Sequence, residues 1–149
     1  MSDTDKIKII GTNRKANFQY EILNKYEAGL VLLGTEVKSL REAKINLQDA
    51  YARIIKDEVW LMNAHISEFK YGNLNNHEPT RQRKLLFNKK EIRKIKAKLE
   101  EQGLTMVPTK IYFKGSRVKI ELAIARGKKM YDKRESIKKR ETERKLKRI

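Results

Sequence analysis

Between Lys128 and Ile149, eleven lysines or arginines stand against four acids, and one aromatic ring, Tyr131, sits among them. Ammonium and guanidinium groups at this density neutralise phosphates, so Lys128, Lys129, Lys133, Arg134, Lys138, Lys139 and Arg140 are candidate contacts to a polyanion. The apolar members of the stretch, Met130, Tyr131, Ile137, Leu146 and Ile149, are too sparse to cover one helix face. The composition therefore predicts a tail that is disordered alone and ordered by what it binds. Two further basic clusters flank rings and apolar side chains. Asn13-Arg14-Lys15 precedes Phe18 and Tyr20, and Arg81-Gln82-Arg83-Lys84 precedes Leu85-Leu86-Phe87. Arg14, Lys15, Arg83 and Lys84 suit phosphates, and a ring such as Phe18 suits stacking on a base, although these rings serve equally well as core. Glu36, one residue before Val37-Lys38, reads either as a buried carboxylate paired to a lysine or as an RNA contact, and Trp60 reads as core.

Catalysis finds little to work with. The two histidines, His65 in an apolar run and His77 beside Glu78, lack the spacing of metal ligands, so the expectation is no catalytic residue, no metal and no cofactor. No G-x-x-x-x-G-K-[ST] phosphate cradle occurs, and Arg126-Gly127-Lys128-Lys129 precedes no helical apolar stripe. The chain has no cysteine, which removes disulfides, thiolate metal sites and thiol nucleophiles. With no signal-peptide pattern in Met1-Ser2-Asp3-Thr4-Asp5, a reducing cytoplasm is the expected setting.

The elements that must position these groups follow from length and periodicity. A chain of 149 residues with a net charge of +17 reads as one domain plus an extension, with nucleic acid as its first partner. No apolar run approaches the roughly 18 residues of a membrane span, and no small-molecule substrate is indicated. Tyr20 to Tyr26 and Leu30 to Leu33 read as two strands broken at Glu27-Ala28-Gly29. Thr35 is placed to cap a short helix through Val37 and Leu40, without the acid three residues on that completes a capping box. Tyr51 to Ile55 and Val59 to Ile66 read as a hairpin about Asp57-Glu58. Residues Tyr71 to Pro79 read as a surface loop. Asn88 with Glu91 predicts a capped helix carrying Ile92, Ile95 and Leu99 on one face and closed by Gly103. Thr105 to Phe113 and Val118 to Ala125 complete a hairpin with one buried and one wetter face. The pattern predicts a mainly β fold, a small antiparallel barrel of the OB or Greek-key kind with about six strands, two or three short helices and a basic C-terminal tail. The domain spans residues 1–127 and the tail 128–149.

Three segments in order, Gly34-Thr35-Glu36-Val37-Lys38-Ser39-Leu40-Arg41, Asn76-His77-Glu78-Pro79-Thr80-Arg81-Gln82-Arg83-Lys84-Leu85-Leu86, and Tyr112-Phe113-Lys114-Gly115 through Arg134, resemble the family of SsrA-binding proteins, also called small protein B. The match runs from about Asn13 to Arg134. The resemblance implies a monomeric adaptor, not an enzyme, that holds the tRNA-like domain of transfer-messenger RNA and brings it to stalled ribosomes for trans-translation. It implies that Asn13, Glu27 and Leu86 are surface positions gripping the RNA elbow. It further implies that Tyr131, Asp132, Lys133 and Arg134 enter the decoding region and the vacant message channel. Three positions depart from the family pattern: Asn17-Phe18 stands where Arg-His is frequent, and Ala43 where Gly is frequent. Ala43 suggests a turn that does not strictly need a positive φ. A constitutive ribosomal binder and a nuclease using His65 or His77 are the rival readings.

Overall fold

The computed structural model describes residues 6–72, 76–101 and 103–127. The expectations for the tail, from Lys128 through Arg140, lie outside these residues. Nine strands and three helices occur among them: β1 (Ile7–Thr12), α1 (Arg14–Gln19), β2 (Tyr20–Leu30), α2 (Gly34–Arg41), β3 (Ile45–Asn46), β4 (Tyr51–Ile55), β5 (Glu58–Met62), β6 (His65–Ile66), β7 (Arg83–Leu86), α3 (Lys89–Leu99), β8 (Leu104–Lys114) and β9 (Arg117–Gly127).

Alternating side chains on β8 and β9 start the barrel. Ile111, Val118, Ile120, Leu122 and Ile124 point inward, and Gly115, at φ 62°, turns the hairpin. Antiparallel pairing runs from β8 to β4, β5, β7, β2 and β9, and β9 returns to β8. Six strands thus form a closed ring in which neither edge is left open, the usual remedy for exposed strand edges. β1 extends the sheet beside the far half of β8, and β3 pairs with β6 separately. β4 meets β8 in register only at Ala52 and Met106. α3 packs near this join, its Ile95 fully buried and its Ile92 and Leu99 against the same core. The helix has its predicted start: the Asn88 side chain accepts from the Glu91 N–H at 2.8 Å, and Gly103, at φ 83°, follows its end.

Several expectations are corrected. β2 is one eleven-residue strand, not two, because Gly29 stays extended and keeps its place in the β9 ladder opposite Lys119. Leu86 lies over it, and a Cβ added at Gly29 would stand 3.4 Å from the Leu86 Cδ1. The first hairpin turns at Lys56-Asp57, one residue earlier than predicted, with both residues left-handed at φ 49° and 62°. That is the pattern of a two-residue type I′ turn, adopted here without glycine. The outer side of β9 is not uniformly wet, since Ala123 and Ala125 are fully buried; α1 supplies Ala16 to a second small cluster with Val107 and Ala125. Neither β1 nor α1 was expected. Trp60 is half-buried and belongs to neither core cluster.

α2 starts two residues earlier than predicted, with Leu33 and not Thr35 as its cap residue. Glu36 performs the return half of a capping box, accepting the Leu33 N–H at 2.7 Å, while the Thr35 hydroxyl bonds His77 at 2.9 Å. The helix closes in a Schellman arrangement: Lys44 N–H donates to the Ser39 carbonyl at 3.1 Å and Ala43 N–H to Leu40 at 2.9 Å. This places Ala43 at φ 56°, so the turn does require the left-handed region that glycine occupies freely.

Glu36, wholly buried, joins α2 to the barrel. It accepts from Arg81 at 2.6 Å and from the Arg83 Nε at 2.5 Å, and Arg83, also wholly buried, donates onward to the carbonyls of Ala64 at 2.8 Å and Pro79 at 3.0 Å. Beside them buried His77 reaches the Ile66 carbonyl through Nε2 at 2.8 Å; a carbonyl only accepts, so Nε2 carries the proton. Burial by itself pushes the Glu36 carboxyl up, but hydrogen bonds from Arg81 and the Leu33 N–H, with the Arg83 charge, leave it below its ordinary value.

Glu36→Gln strands the Arg83 charge and should cost ~3–5 kcal/mol in urea unfolding at neutral pH. Because the folded-state pKa of Glu36 is lowered, its contribution is present above the ordinary carboxylate range and is lost as pH falls through the folded value. The wild-type advantage over Glu36→Gln should accordingly shrink below about pH 4, following the ordinary carboxylate pKa. Ala43→Gly should raise stability by ~1 kcal/mol, read as a higher urea midpoint at unchanged m.

Candidate nucleic-acid interface

The outward residues of β2, β8 and β9 fall into rows because side chains alternate along each strand. Lys25, Glu27 and Gly29 follow one another on β2, Lys110, Tyr112 and Lys114 on β8, and Lys119 and Glu121 on β9. The ladders set Lys110 against Glu121, Tyr112 against Lys119, and Glu27 against Glu121. Tyr112 is 4% exposed, and its hydroxyl donates to Oε2 of Glu27. Lys114 approaches the other oxygen of Glu27 at 3.3 Å. Glu121 accepts from the Thr109 hydroxyl at 3.0 Å and pairs with Lys25 at 3.3 Å and Lys110 at 3.4 Å. Lys110 also lies 5.8 Å above the Tyr112 ring.

These contacts tune the acids. The Tyr112 hydrogen bond is the main reason the Glu27 carboxyl lies below its ordinary value, helped by Lys114 and Lys119 against a smaller opposing effect of burial. Burial raises Glu121, but the Thr109, Lys25 and Lys110 contacts outweigh it and the group ends below its ordinary value. Burial and the bonded Glu27 push the Tyr112 hydroxyl far up, so it remains a donor at any working pH. The result is a cationic surface with two fixed anions.

Two of the expected site residues meet here despite their separation in sequence. Gly29 is opposite Leu86 in the β2–β7 ladder, so Leu86, 53% exposed, lies two residues along β2 from Glu27, with the Lys119 amine close to the same glycine. Lys84 is partly exposed and pairs with Glu58 at 3.4 Å. Arg14 is exposed, and Lys15 pairs loosely with Asp49 at 3.7 Å; with Thr12, Asn46 and Gln48 they line a polar hollow of about 380 Å³. Phe18 is half-buried on α1.

Two residues expected on the RNA-facing surface are buried. Asn13 is 6% exposed, and its side chain is committed to the fold: Oδ1 accepts from the Ala16 N–H at 3.3 Å, and Nδ2 donates to the carbonyls of Leu47 at 3.1 Å and Pro108 at 3.0 Å. It anchors α1, with both polar atoms of its amide held by the fold. Arg83, 0% exposed, belongs to the Glu36 network. Position in a basic run does not distinguish it from Lys84, but on a strand the two neighbours point to opposite faces. Lys25, Lys110, Tyr112, Lys114 and Glu121 join this face without standing in any of the basic clusters of the sequence. Their signal is the period-two alternation of polar side chains on β2, β8 and β9, legible only once the three strands are known to share a face. His65 is exposed on β6 and His77 is buried in hydrogen bonds; among the described residues no three His, Cys, Asp or Glu side chains gather as a metal site. No described helix is long and apolar enough to cross a membrane.

A closed antiparallel barrel with a cationic, hydrogen-bonded outer face defines a small basic β-barrel protein. The profile of the SmpB family, described as SmpB protein, matches residues 10–149. An SsrA-binding protein of Thermosynechococcus vestitus is 56% identical over 97% of this chain and 95% of its own length. One of Syntrophobacter fumaroxidans is 53% identical over 99% of this chain and 92% of its own. A solved structure described as "tmRNA-SmpB: a journey to the center of the bacterial ribosome" contains a chain 44% identical, aligned over 85% of this chain and 93% of that one, with a TM-score of 0.68. The chain belongs to the SmpB family.

Neighbouring Lys84 and Arg83 provide a direct test of the two faces of β7. Lys84→Gln should weaken RNA binding and lower its salt slope by about 1 with little change in stability, whereas Arg83→Met should alter the urea midpoint and leave the salt slope unchanged.

Proposed function

We propose that this protein is an RNA-binding adaptor of trans-translation. Its barrel, residues 1–127, holds the tRNA-like domain of transfer-messenger RNA, and its basic tail, residues 128–149, enters the ribosome. The observation that carries this reading is near full-length similarity to proteins named for binding SsrA RNA, supported by a structural relative described with tmRNA and the bacterial ribosome. The outer barrel face supplies suitable physics. Lys25, Lys110, Lys114 and Lys119 attract phosphates, Leu86 offers an exposed apolar contact, and Glu27 offers a carboxylate acceptor. Arg14, Lys15, Phe18 and Lys84 extend the contact area.

In the tail, Lys128, Lys129, Lys133, Arg134, Lys138, Lys139 and Arg140 meet ribosomal RNA phosphates, with Tyr131 and Asp132 placed at the decoding region. Competition with message for the same channel would restrict this engagement to stalled ribosomes. The protein delivers RNA and performs no bond-making step, and it acts where ribosomes work, in the cytoplasm. Rescue of the ribosome and tagging of the nascent peptide follow from the RNA that it carries.

Binding of the full chain to a labelled tRNA-like domain, with excess ordinary tRNA as competitor, tests this reading. Binding should survive the competitor and weaken steeply with salt. Truncation after Gly127 should leave this binding within about threefold while abolishing peptide tagging on stalled ribosomes, because most barrel contacts remain and about one decade in affinity needs 1.4 kcal/mol. Affinity no better than for ordinary tRNA, or an equal loss of binding and tagging on truncation, would overturn it.

A further inference from the structure

Glu27 and Glu121 stand directly opposite each other across β2 and β9, where like charges oppose sheet formation. The two carboxylates are treated differently. The Glu121 side chain is 18% exposed and is occupied by Thr109, Lys25 and Lys110. The Glu27 side chain is 39% exposed and is held from below by the Tyr112 hydroxyl and from one side by Lys114. An ionised carboxylate accepts at about four lone-pair positions, so these two donors leave part of Glu27 open to a partner.

An anion is a poor contact for phosphate and a good one for N–H or O–H groups. Its place beside Lys114 and Lys119, two residues along β2 from the glycine that the exposed Leu86 covers, suits a position where RNA leaves its phosphates and presents a base edge or sugar. Tyr112 cannot make that contact itself, because the residue is 4% exposed and its hydroxyl is directed to Glu27. We infer that Tyr112 is a positioning residue that holds Glu27 as the hydrogen-bond acceptor for a donor on the bound RNA, a base N–H or a ribose 2′-hydroxyl. This rests on the RNA-binding reading above and adds to it the device that sets the geometry of one specificity contact.

Tyr112→Phe in the full-length protein removes the hydroxyl and keeps the ring. Its affinity for the tRNA-like domain should fall about five- to tenfold, the scale of an ordinary net hydrogen bond, with an unchanged salt slope because no phosphate contact is lost. Glu27→Ala should fall at least as far, and adding Tyr112→Phe to it should cause no further loss. A pH profile supplies a separate readout. The groups facing Glu27 are Tyr112 and Lys114 on β8 and Lys119 and Glu121 on β9. Without the Tyr112 hydrogen bond Glu27 should take up its proton at a higher pH, so binding by Tyr112→Phe should fade at a higher pH than in wild type. Single 2′-deoxy substitutions in the RNA separate the donors: loss of the Glu27 dependence at one of them upholds a ribose contact, and retention at all of them upholds a base contact. Wild-type affinity for Tyr112→Phe, or losses that add fully to those of Glu27→Ala, would overturn the inference while leaving the RNA reading intact. Failure of the wild-type protein to prefer the tRNA-like domain would overturn both.

Discussion

The buried Glu36–Arg83 pair is the constraint around which one side of this barrel is arranged. A carboxylate and a guanidinium removed from water are each costly, and their attraction compensates only when their remaining hydrogen-bonding positions are filled. Here they are filled from several directions in the chain. Glu36 takes the Leu33 N–H and Arg81, while Arg83 takes the Ala64 and Pro79 carbonyls. Helix α2, strand β7, and the segments before β6 and β7 must therefore be in place together. The pair's net contribution to stability is the difference between a large desolvation cost and a large attraction.

That arrangement matters for the outer face. Arg83 inward sets the facing of its strand neighbours, so Lys84 and Leu86 lie on the side opposite Arg83 and Leu85. Leu86 then comes over Gly29 because β7 and β2 pair at that point. These exposed side chains thus inherit their positions from interior ones. Asn13 does similar work at the other end of the face, tying the start of α1 to the carbonyls of Leu47 and Pro108 and so setting where Arg14 and Lys15 emerge.

The lattice over β2, β8 and β9 combines attraction with selectivity. Lysines provide long-range pull toward a polyanion, which salt screens and which carries little sequence information. Glu27 and Glu121 reduce that pull locally, yet they hold the lysines in a defined pattern and keep the surface from being a diffuse positive patch. Tyr112, buried beneath charged side chains, connects this pattern to the barrel wall. The arrangement suits recognition of folded RNA, where shape and a few polar contacts discriminate among similar backbones.

Local signals in the chain are enough for the mainly β composition, the capped α3 with Ile92, Ile95 and Leu99, the β8–β9 hairpin and the strongly basic character. Each rests on local periodicity, turn chemistry or charge, which neighbouring residues specify among themselves. Its motifs also carried the family. Tertiary structure decided which residues of a basic run face solvent, and so removed Asn13 and Arg83 from the surface while bringing Glu27, Leu86 and Tyr112 together. It decided that β2 continues through Gly29 and that Ala43 occupies a left-handed turn, against what their local sequence suggested. These outcomes depend on contacts between segments far apart in the chain: Gly29 with Leu86, Glu36 with Arg83, and Glu27 with Tyr112. Burial and ion pairing are properties of such meetings, and no stretch of sequence contains them until closure of the barrel brings its strands side by side.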